Sequence, residues 1–196
     1  MKSSAAILIL ALTLTSFTLF TGLKNILFEV DKTSTMTIKG TSNIHDWTAN
    51  VEKINGTANL AFSDDGMVEI ENYNISFDVN SIKSTKGNAM DKRIYKALKA
   101  DTYSTINYKM KSLSSMKKTA TGFTAKVEGN LTIAGTTKPV SVDITGKELA
   151  NGNYEVSGSK ALKMTTFNVE PPTAMLGALT TADDVTVEFK VILNQK

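Results

Sequence analysis

The chain has 196 residues, no cysteine and a formal net charge of +3, so its stability must come from a buried core, without disulfide or thiolate chemistry. The lysines are scattered without interleaved aromatic residues and Arg93 is the single arginine, which argues against a nucleic-acid-binding surface. No linker or low-complexity stretch divides the chain, and the length suits one domain with a sizeable core.

Met1 and Lys2 precede an uncharged apolar run over 5–14, diluted by Thr, Ser and Phe up to Thr21 and Gly22. A short basic end, an apolar core and small polar residues predict a secretory signal peptide over 1–22. The domain would then span 23–196 and be periplasmic or secreted. Losing Lys2 would take the charge from +3 to +2. The competing reading is an uncleaved anchor, since 5–23 approaches the ~20 residues that cross a bilayer. No cysteine follows the run, so a lipoprotein anchor is not expected.

Residues 25–30 form a short apolar strand, and Met36 and Ile38 continue one face after Asp31, Lys32 and Thr33. Gly40, Ser42 and Asn43 mark a turn, after which Trp47, Ala49 and Val51 restart the alternation. Gly56 suits a turn or kink before Ala58, Leu60 and Phe62. Asp64-Asp65-Gly66 is a hairpin signal. Val68 and Ile70 share one parity, whereas Tyr73, Ile75, Phe77 and Val79 take the other. Such a phase change predicts a β-bulge near Glu71 and Asn72.

Residues 81–87 read as loop. Met90, Ile94 and Leu98 then recur at helical spacing, with Asn88 as a candidate cap and Asp91 in the first turn. Strand periodicity returns at Ile106, Tyr108 and Met110. Phe123, Ala125, Val127, Gly129, Leu131 and Ile133 then fall on one parity. Ala134-Gly135-Thr136-Thr137 breaks the pattern, Pro139 suits the first residue of a strand, and Val140, Val142 and Ile144 resume it. This is a β-hairpin with one apolar face. Tyr154, Val156, Gly158, Leu162 and Met164 extend the sheet. Residues 170–184 look irregular, and Val185, Val187, Phe189 and Val191 close the chain.

The expectation is therefore all-β: an antiparallel, lipocalin-like β-barrel of about eight strands with one short inserted helix. Closure is preferred over an open sandwich because long alternating strands with free edges invite aggregation. Eight strands enclose an interior that side chains fill or that holds one small ligand, and periodicity leaves both open.

Gly129-x-Leu131-Thr132-Ile133-x-Gly135 with Thr137-Lys138-Pro139-Val140 resembles the central signature of the YceI-like family, periplasmic β-barrels that bind polyisoprenoids and other amphiphilic lipids. The resemblance runs from about Phe28 to Leu193. Ser81-Ile82-Lys83-Ser84, Ile106-Asn107-Tyr108, Phe167-Asn168-Val169 and Asp183-Asp184-Val185-Thr186-Val187 follow the family's order. Ser104 stands where the family often has proline, and Met164 and Asn168 replace the arginine and glycine of its Arg-x-x-Phe-Gly motif. His45-Asp46-Trp47 resembles a divergent branch.

The resemblance implies an amphiphilic lipid or isoprenoid as partner, with no cofactor, metal or nucleic acid, and no enzymatic activity. His45 is the single histidine. Without a cysteine, a second histidine or a nucleophile elbow beside it, a structural or mouth-lining role outweighs catalysis or zinc binding. Neither Asp64-Asp65 nor Asp183-Asp184 has the spacing of a calcium loop. Candidate lumen or mouth residues are Trp47, Tyr73, Ile75, Phe77, Arg93, Phe123, Val127 and Phe167, with His45 as a polar mouth residue. Each of the apolar ones is equally suited to an ordinary core. The alternative function is a cell-envelope interaction module with a solid core and no ligand. If the leader is cleaved, intact-mass measurement of protein recovered from the native host will give an N-terminus near residue 22. A mass that includes Met1 in a membrane fraction would favour the anchor.

Overall fold

The structure is a computed structural model that describes residues 23–63 and 66–196. The predicted leader over 1–22 and the turn residues Asp64 and Asp65 lie outside the described residues. The strands in chain order are β1 (Lys24–Val30), β2 (Thr35–Ser42), β3 (Trp47–Val51), β4 (Ile54–Ser63), β5 (Gly66–Asp78) and β6 (Ile82–Ser84). The single α-helix among the described residues, α1 (Asn88–Ala97), precedes β7 (Thr105–Thr119), β8 (Gly122–Ile133), β9 (Thr136–Glu148), β10 (Tyr154–Lys163), β11 (Thr173–Ala174) and β12 (Leu179–Gln195).

Eight antiparallel strands close the barrel in the order β1-β4-β5-β7-β8-β9-β10-β12, and β12 pairs back onto β1. The register shows that β2, β3 and β6 prolong three of these strands. β12 pairs with β1 through Val30↔Leu193 and with β2 through Thr35↔Lys190, so β1 and β2 lie end to end along one edge. In the same way β3 continues into β4, and β5 into β6. The interruptions at 31–34, 52–53 and Val79–Ser81 sit side by side and form a crease. Its lost ladder bonds are replaced locally, as polar backbone in a wall requires. Asp31 N–H donates to Ile192 O at 2.8 Å, Ile192 N–H to Ser34 Oγ at 3.0 Å, and Lys53 N–H to Ser81 Oγ at 3.0 Å. Below the crease the wall is the barrel. Above it, β2, β3 and β6 make a flap against which α1 packs.

The alternation read from sequence holds along most strands: Trp47, Ala49 and Val51 are buried, as are Phe123, Ala125, Val127 and Leu131. A bulge falls where the phase change put it, because Asn59↔Asn72 is followed by Leu60↔Ile70 and leaves Glu71 unpaired. The β8–β9 hairpin turns through two residues, Ala134 (φ 47°) and Gly135 (φ 79°), the doubly left-handed turn that matches strand twist.

Several local expectations are corrected. Gly56 lies inside β4, and the break in that strand comes earlier, at 52–53. Residues 82–84 are a strand, β6, paired with β3. Asn88 is the first helical residue and Gly87 (φ 84°) precedes it as the cap. Asp91 closes that end instead: it is buried, accepts from Ser84 N–H at 2.6 Å and lies 3.7 Å from Lys83 Nζ. Met164 has left the sheet for a 3-10 turn, Met164–Phe167. Residues 170–184 are ordered around β11, and β12 begins at Leu179. Pro139 is internal to β9.

Four inward aromatic rings lie flat on glycines of a neighbouring strand. Trp47 covers Gly40, Tyr108 covers Gly129, Phe123 covers Gly146 and Phe189 covers Gly158. A Cβ on Gly158 would stand 2.6 Å from Phe189 Cζ, and one on Gly129 2.5 Å from Tyr108 Cζ. Gly146→Val will therefore force Phe123 off the wall and lower the unfolding free energy by ~1–3 kcal/mol, the usual range for overpacking. The outward neighbour substitution Thr145→Val will stay within ~0.5 kcal/mol, and urea midpoints of the two variants check both.

Candidate functional site

One end of the barrel is sealed by aromatic rings. Phe28, Phe62, Phe123 and Tyr154 meet with centroids 5.8–6.4 Å apart, in edge and tilted arrangements that suit their quadrupoles. Above this plug an apolar cavity of about 130 Å³ runs up the lumen, against the ~10–15 Å³ that admits one water. A second apolar cavity of about 110 Å³ lies above the crease, between the flap, α1 and the segment from Met164 to Pro172. Ile38, Ile133, Leu162 and Val187 line both, so the two abut.

Tyr73, Ile75, Phe77, Phe123 and Val127 line the lower cavity. Trp47 and Phe167 line the upper one, and Trp47 Nε1 donates to Thr41 O at 3.2 Å. Arg93 and His45 are exposed and line neither cavity. Arg93 is on the outer face of α1. His45 lies in the β2–β3 turn with Nδ1 3.1 Å from Asp46 O. The two cavities thus gather the apolar candidates and leave the two polar ones outside.

The lumen's few polar groups differ in how they are satisfied. Tyr108 donates at 3.2 Å towards Val127 O and Val140 O across the wall glycine, and burial pushes its phenol up to about 12. Tyr73 has no hydrogen-bond partner among the described residues, and burial, with Tyr108 nearby, raises its phenol further. Burial also raises Tyr154. Among the described residues, Lys160 is the one charged side chain lining the lower cavity. Sequence reading passed over it, although its parity with Tyr154, Val156, Gly158 and Leu162 marks it as inward.

Two stretches of wall are unpaired. The β5–β7 ladder stops at Asn74↔Lys109, leaving its lower half open. The β9–β10 ladder stops at Ile144↔Gly158, leaving its upper half open. Pro139 belongs to this second seam. Ile133↔Thr136 closes the two-residue turn, so alternation of ladder bonds points the nitrogen of residue 139 away from β8 and towards the missing partner. A proline there removes a donor that would otherwise be unpaired.

Among the described residues no cluster of His, Asp and Glu could hold a metal ion, and no helix is long and apolar enough to cross a membrane. A closed eight-strand antiparallel barrel belongs to the class of up-and-down barrels, whose interior is filled by side chains or holds one small ligand. The chain belongs to the YceI-like family, whose domain model matches residues 24–193. The fold is similar to that of Burkholderia cenocepacia BcnA, at 20% identity, a TM-score of 0.64, and coverage of 83% of this chain and 98% of that one. It is also similar to a polyisoprenoid-binding domain from Saccharophagus degradans implicated in plant cell wall breakdown, at 14% identity, a TM-score of 0.65, and 87% and 99% coverage. A Campylobacter jejuni YCEI protein matches at 18% identity and a TM-score of 0.57, over 76% of this chain and 84% of that one. No curated protein sequence matches the chain.

The three raised phenols set an alkaline limit. An acid whose folded pKa is raised contributes full stability below its unfolded value, here 10.0, and that contribution falls as pH climbs through the folded value. In a spectrophotometric titration Tyr73, Tyr108 and Tyr154 will ionise late, together with loss of the barrel's circular dichroism. Reversible ionisation of all five tyrosines near pH 10 with the fold intact would contradict the buried placement.

Proposed function

We propose that the protein binds the hydrocarbon chain of an amphiphilic lipid, a polyisoprenoid or a long acyl chain, inside the barrel, for transport or storage in the cell envelope. The observation that carries this reading is the pair of abutting apolar cavities. A chain entering the lower one would lie along Tyr73, Ile75, Phe77, Phe123 and Val127, and its far end would pass the crease to Trp47 and Phe167. Each buried methylene would contribute ~0.8 kcal/mol without any directed contact, so tail recognition would be tolerant of length and branching. Family membership and the binding named for the Saccharophagus domain support the same reading. The envelope location rests on a leader over 1–22, and the domain proper on 23–196.

The protein acts as a carrier and not a catalyst: the lumen walls hold hydrocarbon surface, two phenols and one ammonium, without a paired acid and base. Arg93 and His45 have no part in this proposal. The rival, an interaction module packed solid, would have no use for the cavities.

Native mass spectrometry after gentle purification will show a mass excess equal to one lipid. Val187→Trp, which fills the wall common to both cavities, will keep the fold, because it occupies empty space and not packed volume. It will also lose the mass excess. A lipid-free wild type that takes up no long-chain probe would sink the reading.

A further inference from the structure

Lys160 sits in the upper half of β10, on the inward parity, half-buried, in a wall whose other lining groups are apolar or phenolic. Among the described residues it has no hydrogen-bond or ion-pair partner. The acids around it are committed or turned away. Glu188, beside the Val187 that pairs with Lys160, holds Lys39 at 2.7 Å. Asp184 holds Lys163 at 2.9 Å. Asp183 accepts from Thr165 N–H at 2.8 Å and from its hydroxyl at 2.7 Å. Asp143 is on the exposed outer face of β9. The inward face around Lys160 is Gly158, Leu162, Val187 and Phe189.

An ammonium on such a wall, with no counter-charge, is costly to bury unless something pairs with it. Its position explains how it is tolerated. Lys160 lies just past Gly158, where β9 and β10 part, so the stem has lumen wall to lie along and the head has an open seam within its reach. The seam also contains Ser141, which is on the same outward parity as Asp143 and has its hydroxyl buried without a partner among the described residues, and Pro139, which keeps β9 from accepting another strand there.

We propose that the β9–β10 seam is the head-group site and that Lys160 makes the protein selective for amphiphiles ending in an anionic oxygen group, a carboxylate or a phosphate. This rests on the lumen binding hydrocarbon, as inferred above. The tail lies in the cavity and the anionic head stays at the seam, where a charge-assisted hydrogen bond to the ammonium replaces its water. Arg93 and His45 are not needed for it.

The test holds the tail constant. Hexadecanoic acid, hexadecyl phosphate and hexadecanol are titrated into the delipidated full domain at pH 8, with displacement of a fluorescent fatty probe as readout. The wild type will bind at least one of the anions about tenfold or more tighter than the alcohol, the scale of a hydrogen bond to a charged group. The tighter of the two anions distinguishes a carboxylate from a phosphate source. Lys160→Met will erase the gap by weakening the anions and leaving the alcohol unchanged, and Lys160→Arg will restore it. Equal binding of alcohol and anions by the wild type, or an undiminished gap in Lys160→Met, overturns the head-group assignment and leaves the lumen reading intact. Failure of all three to bind overturns both.

Discussion

An inward aromatic ring takes up either the middle of a barrel or its wall, and this chain puts four of them on the wall by setting glycine on the adjoining strand. Trp47, Tyr108, Phe123 and Phe189 lie where a Cβ would otherwise stand. The glycines weaken their strands slightly, and the rings cover the exposed backbone and restore the lost packing. The open lumen depends on this arrangement. If the same rings stood upright they would meet across the axis, as Phe28, Phe62 and Tyr154 do at the sealed end.

The crease determines how that space is shared. Three adjacent strands break at one level, so the sheet bends there without ending. The lower segments complete the barrel, and the upper ones lean over as a flap carrying α1. Asp91 fixes the helix to the strand before it through Ser84 N–H, and a buried carboxylate with this donor and a lysine nearby tolerates few substitutes. Tyr95 adds a second tie: its hydroxyl accepts from Lys83 Nζ at 2.8 Å and donates at 2.9 Å towards Asn80 O and Ile82 O. The upper cavity therefore has a roof fixed by polar contacts and walls made of hydrocarbon. β7, β8 and β9 form a panel joined to β5 by its upper half and to β10 by its lower half.

Much of this was legible in the order of residues. The β8–β9 hairpin, the bulge at Glu71 and the inward faces of β3 and β5 follow from parity alone, because a half-buried strand has a two-residue period that few other structures share. The failures have physical causes as well. β6 is three residues long, too short to show a period, and exists because β3 offers it an edge. Leu179 to Asp184 lacks alternation because its pairing is set by Ser42, far along the chain, and by the two-residue β11 just before it. The sequence suits Pro139 to a strand start because a missing N–H is harmless there. It is equally harmless beside a strand that has turned away, and only the register distinguishes the two. Lys160 is hard to see as inward because its charge interrupts the apolar pattern, although the pattern resumes in phase at Leu162. That the interior holds space and not side chains was not legible at all, since the same alternation lines a filled barrel and an empty one.

The connectivity has a consequence for the order in which the molecule can be made. If β1 with β2, β3 with β4 and β5 with β6 are each counted as one bent strand, and the two-residue β11 is set aside, every pairing joins strands that follow one another along the chain, except those of β12 with β1 and β2. The meander can therefore grow hairpin by hairpin as the polypeptide emerges, with small loops and fast local contacts. Its closure is a single long-range event between the first strand and the last, and its entropic cost rises only slowly with the length of chain between them. β12 pairs with β10 along one edge and with β2 and β1 in turn along the other. A chain stopped before β12 is thus a twisted sheet with two raw edges and no interior. The compartment is all or nothing, and it comes into being only when β12 is in place.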